Sequence, residues 1–118
     1  MPSDKTCFVN GCFDVLHIGH IRMLNFAKDR CDRLIVGIDS DSRVKKLKGS
    51  SRPINNQHDR QEFLLSLSSV DEVYFFDNEL ELIDLIKSIS PDIMIVGSDY
   101  RDKEVIGSEH AKQLIFFE

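Results

Sequence analysis

Short apolar runs alternate with amphipathic stretches along the chain, and this alternation limits the possible folds more than any other feature. Residues 34–38 (Leu-Ile-Val-Gly-Ile) form a continuous apolar run, typical of a strand covered on both faces of a parallel sheet. Strands are also predicted over residues 6–10, 70–76, 92–97 and 113–117, and helices over residues 18–31, 56–67 and 79–89. The second of these helices is predicted to be capped by Asn55, with Phe63, Leu64 and Leu67 facing the core. This order predicts an α/β fold, a doubly wound five-stranded parallel sheet with helices on both faces.

Three of the predicted strands are followed by polar or glycine-containing segments, namely residues 10–20, 43–53 and 97–101. In a doubly wound sheet, ligands bind beyond the carboxyl ends of the strands, where the strand order reverses. The sequence therefore predicts a ligand site formed by these three segments. The middle segment is predicted to be a loop. The polar residues 39–42 before it end the second strand and could cap a short helical turn.

The charge of the chain is unevenly distributed. Residues 43–52 carry five basic side chains and no acidic one, whereas the whole chain has a net charge of −5, so the remaining residues carry −10. The basic residues are Arg43, Lys45, Lys46, Lys48 and Arg52. An acidic body disfavours nonspecific binding of nucleic acids, and a compact basic segment fits a small polyanion better than a long one.

Several classes of protein are disfavoured by what the sequence lacks. The 118 residues contain no apolar run near the ~20 residues of a membrane span and no signal-peptide pattern, so a single cytoplasmic domain is expected. Cys7, Cys12 and Cys31 are an odd number without paired spacing, which indicates reduced thiols rather than disulfides or a zinc site. Neither a P-loop nor a Gly-x-Gly-x-x-Gly dinucleotide motif is present.

Two histidines at the junction of the first predicted strand and helix are the strongest candidates for chemistry. His17 and His20 are three residues apart, so on a helix both imidazoles would lie on one face, and Gly11 and Gly19 let the backbone approach a ligand. A helix N-terminus binds anions. We therefore expect a triphosphate whose α-phosphorus is under attack, with imidazole N–H groups stabilising the developing charge.

The two histidines have two alternative interpretations, as surface or core residues and as zinc ligands. A single histidine on a helix is most often a surface or satisfied core residue, and His58 and His110 are predicted to be surface residues for want of such a context. Two histidines at this spacing could also form half of a zinc site, but no further Cys or His lies at a fitting distance along the chain.

The stretch Gly11-Cys-Phe-Asp-Val-Leu-His-Ile-Gly-His20 resembles the GxFDxxHxGH signature of the cytidylyltransferase-like nucleotidyltransferases. Within that family, residues 47–55 (Leu-Lys-Gly-Ser-Ser-Arg-Pro-Ile-Asn), 97–100 and 105–107 resemble the heptose-1-phosphate adenylyltransferases. Glycerol-3-phosphate cytidylyltransferases share the histidine motif and a Val-Asp-Glu-Val-like third strand. They usually have Thr at the position of Cys12 and lack the Lys-Gly-x-x-Arg-Pro block.

The resemblance implies a Rossmann-like HxGH nucleotidyltransferase that joins an NTP, above all ATP, to a sugar phosphate such as heptose 1-phosphate and releases pyrophosphate. The alternatives are CTP with glycerol 3-phosphate, and a catalytically weak nucleotide-binding module. Mg²⁺ is expected to accompany the NTP phosphates without direct protein ligands. The resemblance further implies a homodimer, and neither nucleic acid nor membrane is expected as a partner.

The resemblance also assigns roles to individual residues. The catalytic residues are His17, His20 and Lys48. The nucleotide-binding residues are Asn10, Gly11, Cys12, Phe13, Gly19, Lys45, Lys46, Gly97 and Asp99. The acceptor-binding candidates are Asp14, Arg52, Arg60 and Tyr100. Asp14 could instead support its loop, Arg60 could lie on a helix surface, and Gly97 could simply end a strand.

Two departures from the family pattern stand out. Heptose enzymes usually carry Lys before the glycine of the fourth-strand motif, where this chain has Val96. The family also continues into an Arg…Ile-Ser-Thr-Thr segment that helps to hold the nucleotide phosphates. Residues 1–118 are therefore expected to be one nucleotidyltransferase domain that lacks this segment.

Overall fold

The computed structural model describes residues 4–98 and 103–118. Across these residues five parallel strands form one sheet in the order β3-β2-β1-β4-β5. The strands are β1 (Thr6–Gly11), β2 (Arg33–Asp39), β3 (Glu72–Phe76), β4 (Ile93–Gly97) and β5 (Gln113–Phe117). The helices are α1 (Ile18–Lys28), α2 (Asp41–Lys48), α3 (Gln57–Leu65) and α4 (Glu79–Ile89), and Ser108–His110 forms a 3-10 turn. The predicted α/β fold with a five-stranded parallel sheet is confirmed.

Side chains that alternate along the strands build a core on each face of the sheet. On one face, Phe8, Ile35 and Met94 pack against Leu82 and Ile86 of α4. On the other face, the intervening strand residues pack against α1 and α3 through Cys7, Val9, Leu34, Val36, Ile95, Leu24, Ala27 and Leu64. Both faces are therefore covered by helices, as the continuous apolar runs predicted.

β1 lies at the centre of the sheet between β2 and β4, and all of these pairings are parallel. The chain runs from β1 outward to β2 and β3, and α4 then returns it to β4 on the opposite side of β1. The strand order reverses at this point, and the carboxyl ends of β1 and β4 border the crevice in which such sheets bind ligands.

The predicted basic loop is wrong over most of its length, because residues 41–48 form the helix α2. Ser40 caps this helix, its Oγ accepting the backbone N–H of Arg43 at 3.3 Å. Asp41 in the first turn and three lysines in the last turn suit the helix dipole. Because Val44 is the single fully buried residue of α2, the sequence gives no amphipathic stripe by which to recognise the helix.

Two predictions about the next helix are corrected as well. Asn56, not Asn55, caps α3, its Oδ1 accepting the N–H of Asp59 at 2.9 Å. Phe63 was expected to face the core, but it is 47% exposed. Leu64 faces the core as predicted, and the other buried residue of α3 is Arg60, four residues earlier on the same face.

None of the helices within the described ranges has the length and apolar character needed to cross a membrane.

Candidate active site

His17 and His20 together start α1. His17 is the N-cap residue with an extended backbone, and its Nδ1 accepts the backbone N–H of Gly19 at 3.0 Å. In return, Nδ1 of His20 accepts the backbone N–H of His17 at 3.2 Å. This reciprocal arrangement is a capping box built from two imidazoles. The rings stack with centroids 3.9 Å apart, although His17 precedes the helix rather than lying on its face as predicted.

The capping box fixes the tautomer of both histidines. An Nδ1 atom that accepts a hydrogen bond carries no proton, so each neutral ring bears its proton on Nε2. Burial, together with the neighbouring imidazole of His17, lowers the pKa of His20 below its ordinary value. At neutral pH the arrangement therefore offers Nε2–H donors without a fixed positive charge on His20.

Gly19 is required by the close approach of the His17 ring to the backbone. A Cβ at position 19 would lie 2.8 Å from Cε1 and 3.0 Å from Nδ1 of His17, closer than real Cβ contacts. The glycine between the histidines therefore makes room for the capping ring, which explains the spacing His-x-Gly-His in physical terms.

Phe13 supports His20 from the loop that follows β1. Its backbone has φ +49°, in the left-handed region that non-glycine residues rarely adopt. The Phe13 ring is nearly fully buried, and its centroid is 5.1 Å from that of His20. Phe13 is thus placed to fix His20 from within the protein.

Asp14 ties the histidine loop, residues 12–20 from the end of β1 into the first turn of α1, to the segment that precedes α3. Its carboxylate accepts the N–H of Asn55 at 2.8 Å, the N–H of Ile54 at 2.9 Å and Nη1 of Arg52 at 2.9 Å. Burial acts to raise the pKa of Asp14, but these donors outweigh it, so its pKa lies below the ordinary value. The carboxylate is engaged inside the protein, which favours the supporting role over acceptor binding.

Arg60 neither faces a ligand nor lies on a helix surface, and both interpretations of this residue are corrected. It is 0% exposed. Within the described part of the chain its guanidinium makes four hydrogen bonds, to the carbonyls of Asn55, Cys12 and Asp39 and to Oδ1 of Asp41. Sequence reasoning missed this because a charged residue on a helix is usually exposed.

A cavity of about 290 Å³ opens at the carboxyl ends of β1, β2 and β4. The predicted site residues on its wall are Asn10, Gly11, Cys12, Lys48 and Gly97. An apolar part of the wall is formed by Phe76, Leu82, Ile95, Val96, Val105 and Ile106. The histidines do not line this cavity. Met23, one turn after His20 on α1, does, so the histidine pair lies beside the cavity rather than within it.

Only some of the basic side chains of α2 line the cavity. Lys45, Lys46 and Lys48 are all exposed, and of these three Lys48 alone lines the cavity. Arg43 also lines it, held by an ion pair of 2.7 Å between its Nε and Oδ1 of Asp39. Arg43 lies within the predicted segment 43–53 but was given no individual role, and Asp39 was not predicted as part of the site. Their ion pair becomes visible only once residues 41–48 are known to be helical.

Cys12, Arg52, Asp99 and Tyr100 complete the predicted site residues. Cys12 lies on the cavity wall, and burial raises the pKa of its thiol, an effect opposed by the positive charges of Lys48 and Arg60. Arg52 is partly exposed and paired with Asp14. Asp99 and Tyr100 lie outside the described residues. Within residues 4–98 and 103–118, no three His, Cys, Asp or Glu side chains are arranged to hold a metal ion.

A parallel sheet whose first helix begins with this histidine pair is the arrangement expected of the cytidylyltransferase-like nucleotidyltransferases. The chain belongs to the cytidylyltransferase-like family, whose sequence profile matches residues 8–114. The family predicted from the histidine stretch is therefore confirmed.

Similar proteins were found among both sequences and solved structures. The chain is 47% identical over 118 residues to the bifunctional protein HldE of Helicobacter hepaticus, covering 100% of this chain and 24% of that protein. It is 51% identical over 110 residues to the bifunctional protein HldE of Nitratiruptor, covering 93% of this chain and 24% of that protein. The chain thus spans about a quarter of the length of these relatives.

The fold also matches a crystal structure of the lipopolysaccharide core biosynthesis protein from Thermoplasma volcanium. The TM-score is 0.79 at 24% identity, and the match covers 98% of each chain. At this identity the likeness shows the fold alone.

Proposed function

We propose that the chain transfers an adenylyl group from ATP to a sugar phosphate, heptose 1-phosphate being the leading acceptor. An acceptor phosphate oxygen attacks the α-phosphorus, a new phosphoanhydride bond forms, and the bond to the β-phosphate oxygen breaks to release pyrophosphate. The similarity to the HldE proteins supports this assignment. The observation that carries it is the histidine pair, locked by its capping box with both Nε2–H groups available as donors.

In this proposal the histidines stabilise charge rather than attack the substrate. Negative charge develops on the α-phosphate oxygens and the leaving pyrophosphate, and neutral imidazole N–H donors at the start of a helix can bind it directly. Preorganisation matters here, because donors that are already fixed need not reorient as the charge develops. The capping box and the Phe13 ring supply that fixation.

The cavity beside the histidines is proposed to hold the acceptor. Its volume of about 290 Å³ is at the lower end for small-molecule sites, which fits a monosaccharide phosphate. The nucleotide would lie across the histidine loop, so that the wall residues predicted to bind nucleotide, Asn10, Gly11, Cys12 and Gly97, would border both substrates. Lys48 provides positive charge for a phosphate group, whereas the charge of Arg43 is balanced by its ion pair with Asp39. Lys48 and Cys12 line the same cavity, so Lys48 is placed to bind a phosphate group beside the histidine loop.

Mg²⁺ is proposed to accompany the nucleotide, held by phosphate oxygens and water, as it commonly is at phosphoryl-transfer sites. Two carboxylates of the site, Asp14 and Asp39, are already paired with Arg52 and Arg43. They are therefore not free to bind the metal directly, which agrees with a metal held by the nucleotide. The metal would then neutralise part of the triphosphate charge without a protein cage.

CTP and glycerol 3-phosphate form the second candidate pair, and Val96 is the observation that favours them. Heptose enzymes usually carry Lys at this position, whereas here an apolar side chain lines the cavity. Glycerol 3-phosphate has fewer hydroxyl groups than heptose 1-phosphate, so it needs fewer hydrogen-bonding partners on the cavity wall near Val96.

Pyrophosphate release with each combination of ATP or CTP and heptose 1-phosphate or glycerol 3-phosphate tests the proposal. Turnover with ATP and heptose 1-phosphate is expected, and turnover confined to CTP and glycerol 3-phosphate would replace it with the second candidate. Nucleotide binding without turnover for any pair would indicate a binding module. We further propose that the chain is the nucleotidyltransferase domain of a cytoplasmic enzyme and forms a homodimer, which light scattering coupled to size-exclusion chromatography tests.

A further inference from the structure

Arg60 joins the separate segments that make up the site. Its side chain is fully buried. Nη1 donates to the carbonyl of Cys12 at 2.9 Å and to the carbonyl of Asp39 at 2.7 Å. Nη2 donates to Oδ1 of Asp41 at 2.8 Å, and Nε donates to the carbonyl of Asn55 at 3.0 Å. One guanidinium thus reaches the ends of β1 and β2 and the starts of α2 and α3.

Two of these contacts lead directly to the groups proposed to bind phosphate. Cys12 begins the loop that carries His17 and His20, and Asp41 is the first residue of α2, which carries Lys48. α3 holds α2 at a second point as well, because Oε1 of Gln57 accepts the N–H of Asp41 at 2.9 Å. The start of α2 is therefore fixed against α3 rather than against the sheet alone.

A third contact extends the same network to the far side of the histidine loop. The carbonyl of Asn55 accepts from Arg60, while the N–H of Asn55 donates to the carboxylate of Asp14 and Nδ2 of Asn55 donates to the carbonyl of Asp14 at 2.5 Å. The histidine loop is thus held at Cys12 directly and at Asp14 through Asn55.

We infer that Arg60 is a positioning residue, which fixes the histidine pair relative to Lys48 without touching substrate. This inference rests on the proposed function of the site. The planar fork of arginine matches acceptors that lie in several directions, whereas the ammonium of lysine is a single donor centre. A lysine at position 60 keeps the charge but leaves carbonyls of the two strand ends unbound, so the two halves of the site can drift apart.

Arg60→Lys and Arg33→Lys form a matched pair of variants for the test. Arg33 is also paired with a carboxylate, that of Glu72. It lies at the amino end of β2, whereas the cavity lies at the carboxyl ends of the strands. Kinetics are measured well below the Tm of each variant and expressed per folded molecule. A misplacement of about 1 Å can cost about 10²-fold in rate, so we expect kcat of Arg60→Lys to fall about 10- to 100-fold. Arg33→Lys should keep the kcat of the unmodified chain.

Amide hydrogen exchange supplies a readout that does not depend on turnover. In Arg60→Lys, exchange should increase within residues 12–20 and 41–48 together, and in Arg33→Lys it should increase in neither. If Arg60→Lys lowers Tm while kcat per folded molecule and exchange in both segments stay unchanged, Arg60 is merely structural and the inference is overturned.

Asp41→Ala decides the matter if Arg60→Lys does not fold. This variant removes one acceptor of Arg60 at a partly exposed position, and we expect a several-fold lower kcat with increased exchange over residues 41–48. Unchanged kcat and exchange in Asp41→Ala would contradict the inference. Failure of the proposed function is distinguishable, because the unmodified chain would then release no pyrophosphate with any substrate pair, while the exchange experiment would still report on Arg60.

Discussion

The ring of His20 stacks on the ring of His17 at a centroid distance of 3.9 Å. Nδ1 of His17 accepts the N–H of Gly19 in the first turn of α1, and Nδ1 of His20 accepts the N–H of the capping residue His17. The two side chains therefore have a structural role at Nδ1 and a proposed chemical role at Nε2. Substitutions that preserve one role and remove the other can separate them.

His17→Asn and His20→Gln are expected to fold normally but to lose turnover. Asn is a favoured N-cap residue and Gln a favoured partner at the third helical position, so both variants can retain the capping box. Neither places an imidazole N–H at the phosphates, and loss of one such donor typically costs about 10²–10³ in kcat. Thermal unfolding and steady-state pyrophosphate release check the two halves of this prediction. His58→Ala, at an exposed position, serves as the control, and near-normal kcat in both histidine variants would refute the charge-stabilising role.

Gly19→Ala should reduce kcat without destabilising α1. The new methyl group would lie 2.8 Å from Cε1 of His17, so the ring must move away from the helix start. Alanine is itself a better helix former than glycine by about 1 kcal/mol, which opposes any loss of helix stability. We expect at least a tenfold lower kcat and an altered ring NMR signal of His17. A variant with full activity and an unchanged signal would show that the His17 ring need not be held this close.

Acid should weaken the folded state through His20. Because burial and His17 lower its pKa in the folded protein, the unfolded chain binds the proton more readily as pH falls below the ordinary value of 6.5. The contribution of neutral His20 to the free energy of unfolding is then fully present above about pH 6.5 and is lost progressively at lower pH. Urea unfolding between pH 8 and pH 5 should show a steeper loss for the unmodified chain than for His20→Gln. Parallel pH profiles of the two proteins would contradict the lowered pKa.

The three lysines of α2 should differ in their effect on phosphate binding. All three lysines are exposed, but Lys48 lines the cavity and Lys45 and Lys46 do not. Lys48→Ala is expected to raise KM for at least one phosphate substrate by tenfold or more. Lys45→Ala and Lys46→Ala remove the same charge from the same helix and should change KM less than twofold. Equal effects of all three substitutions would mean that net charge, rather than placement, determines binding.

The parts of the fold that follow from local pattern could be predicted from the sequence. Ile35 and Val36 point to opposite faces of a doubly covered sheet, so their run is apolar throughout and is recognised without further information. α4 was predicted with its observed ends because apolar residues, among them Leu82 and Ile86, repeat at helical spacing and Pro91 ends the pattern. In the structure the helix is also capped by Asn78, which agrees with that pattern.

The parts that depend on distant partners could not be predicted. α2 packs through Val44, and its start is held by Gln57 and Arg60, which lie 16 and 19 residues further along the chain than Asp41. Arg60 looks like an ordinary helix-surface charge until its carbonyl partners in β1 and β2 are known. The histidine loop was recognised from its motif, but the engagement of Asp14 by residues 52–55 depends on the tertiary fold.

The capping box has a consequence for how the site forms during folding. The first turn of α1 and the orientation of both imidazoles share the same two hydrogen bonds, so a misplaced ring leaves a backbone N–H at the helix start without its acceptor. Formation of the helix start and placement of the proposed phosphate-binding donors are thus coupled. The amide proton of Gly19, which is bound to His17, becomes a single-atom reporter of whether a molecule is competent, with or without substrate.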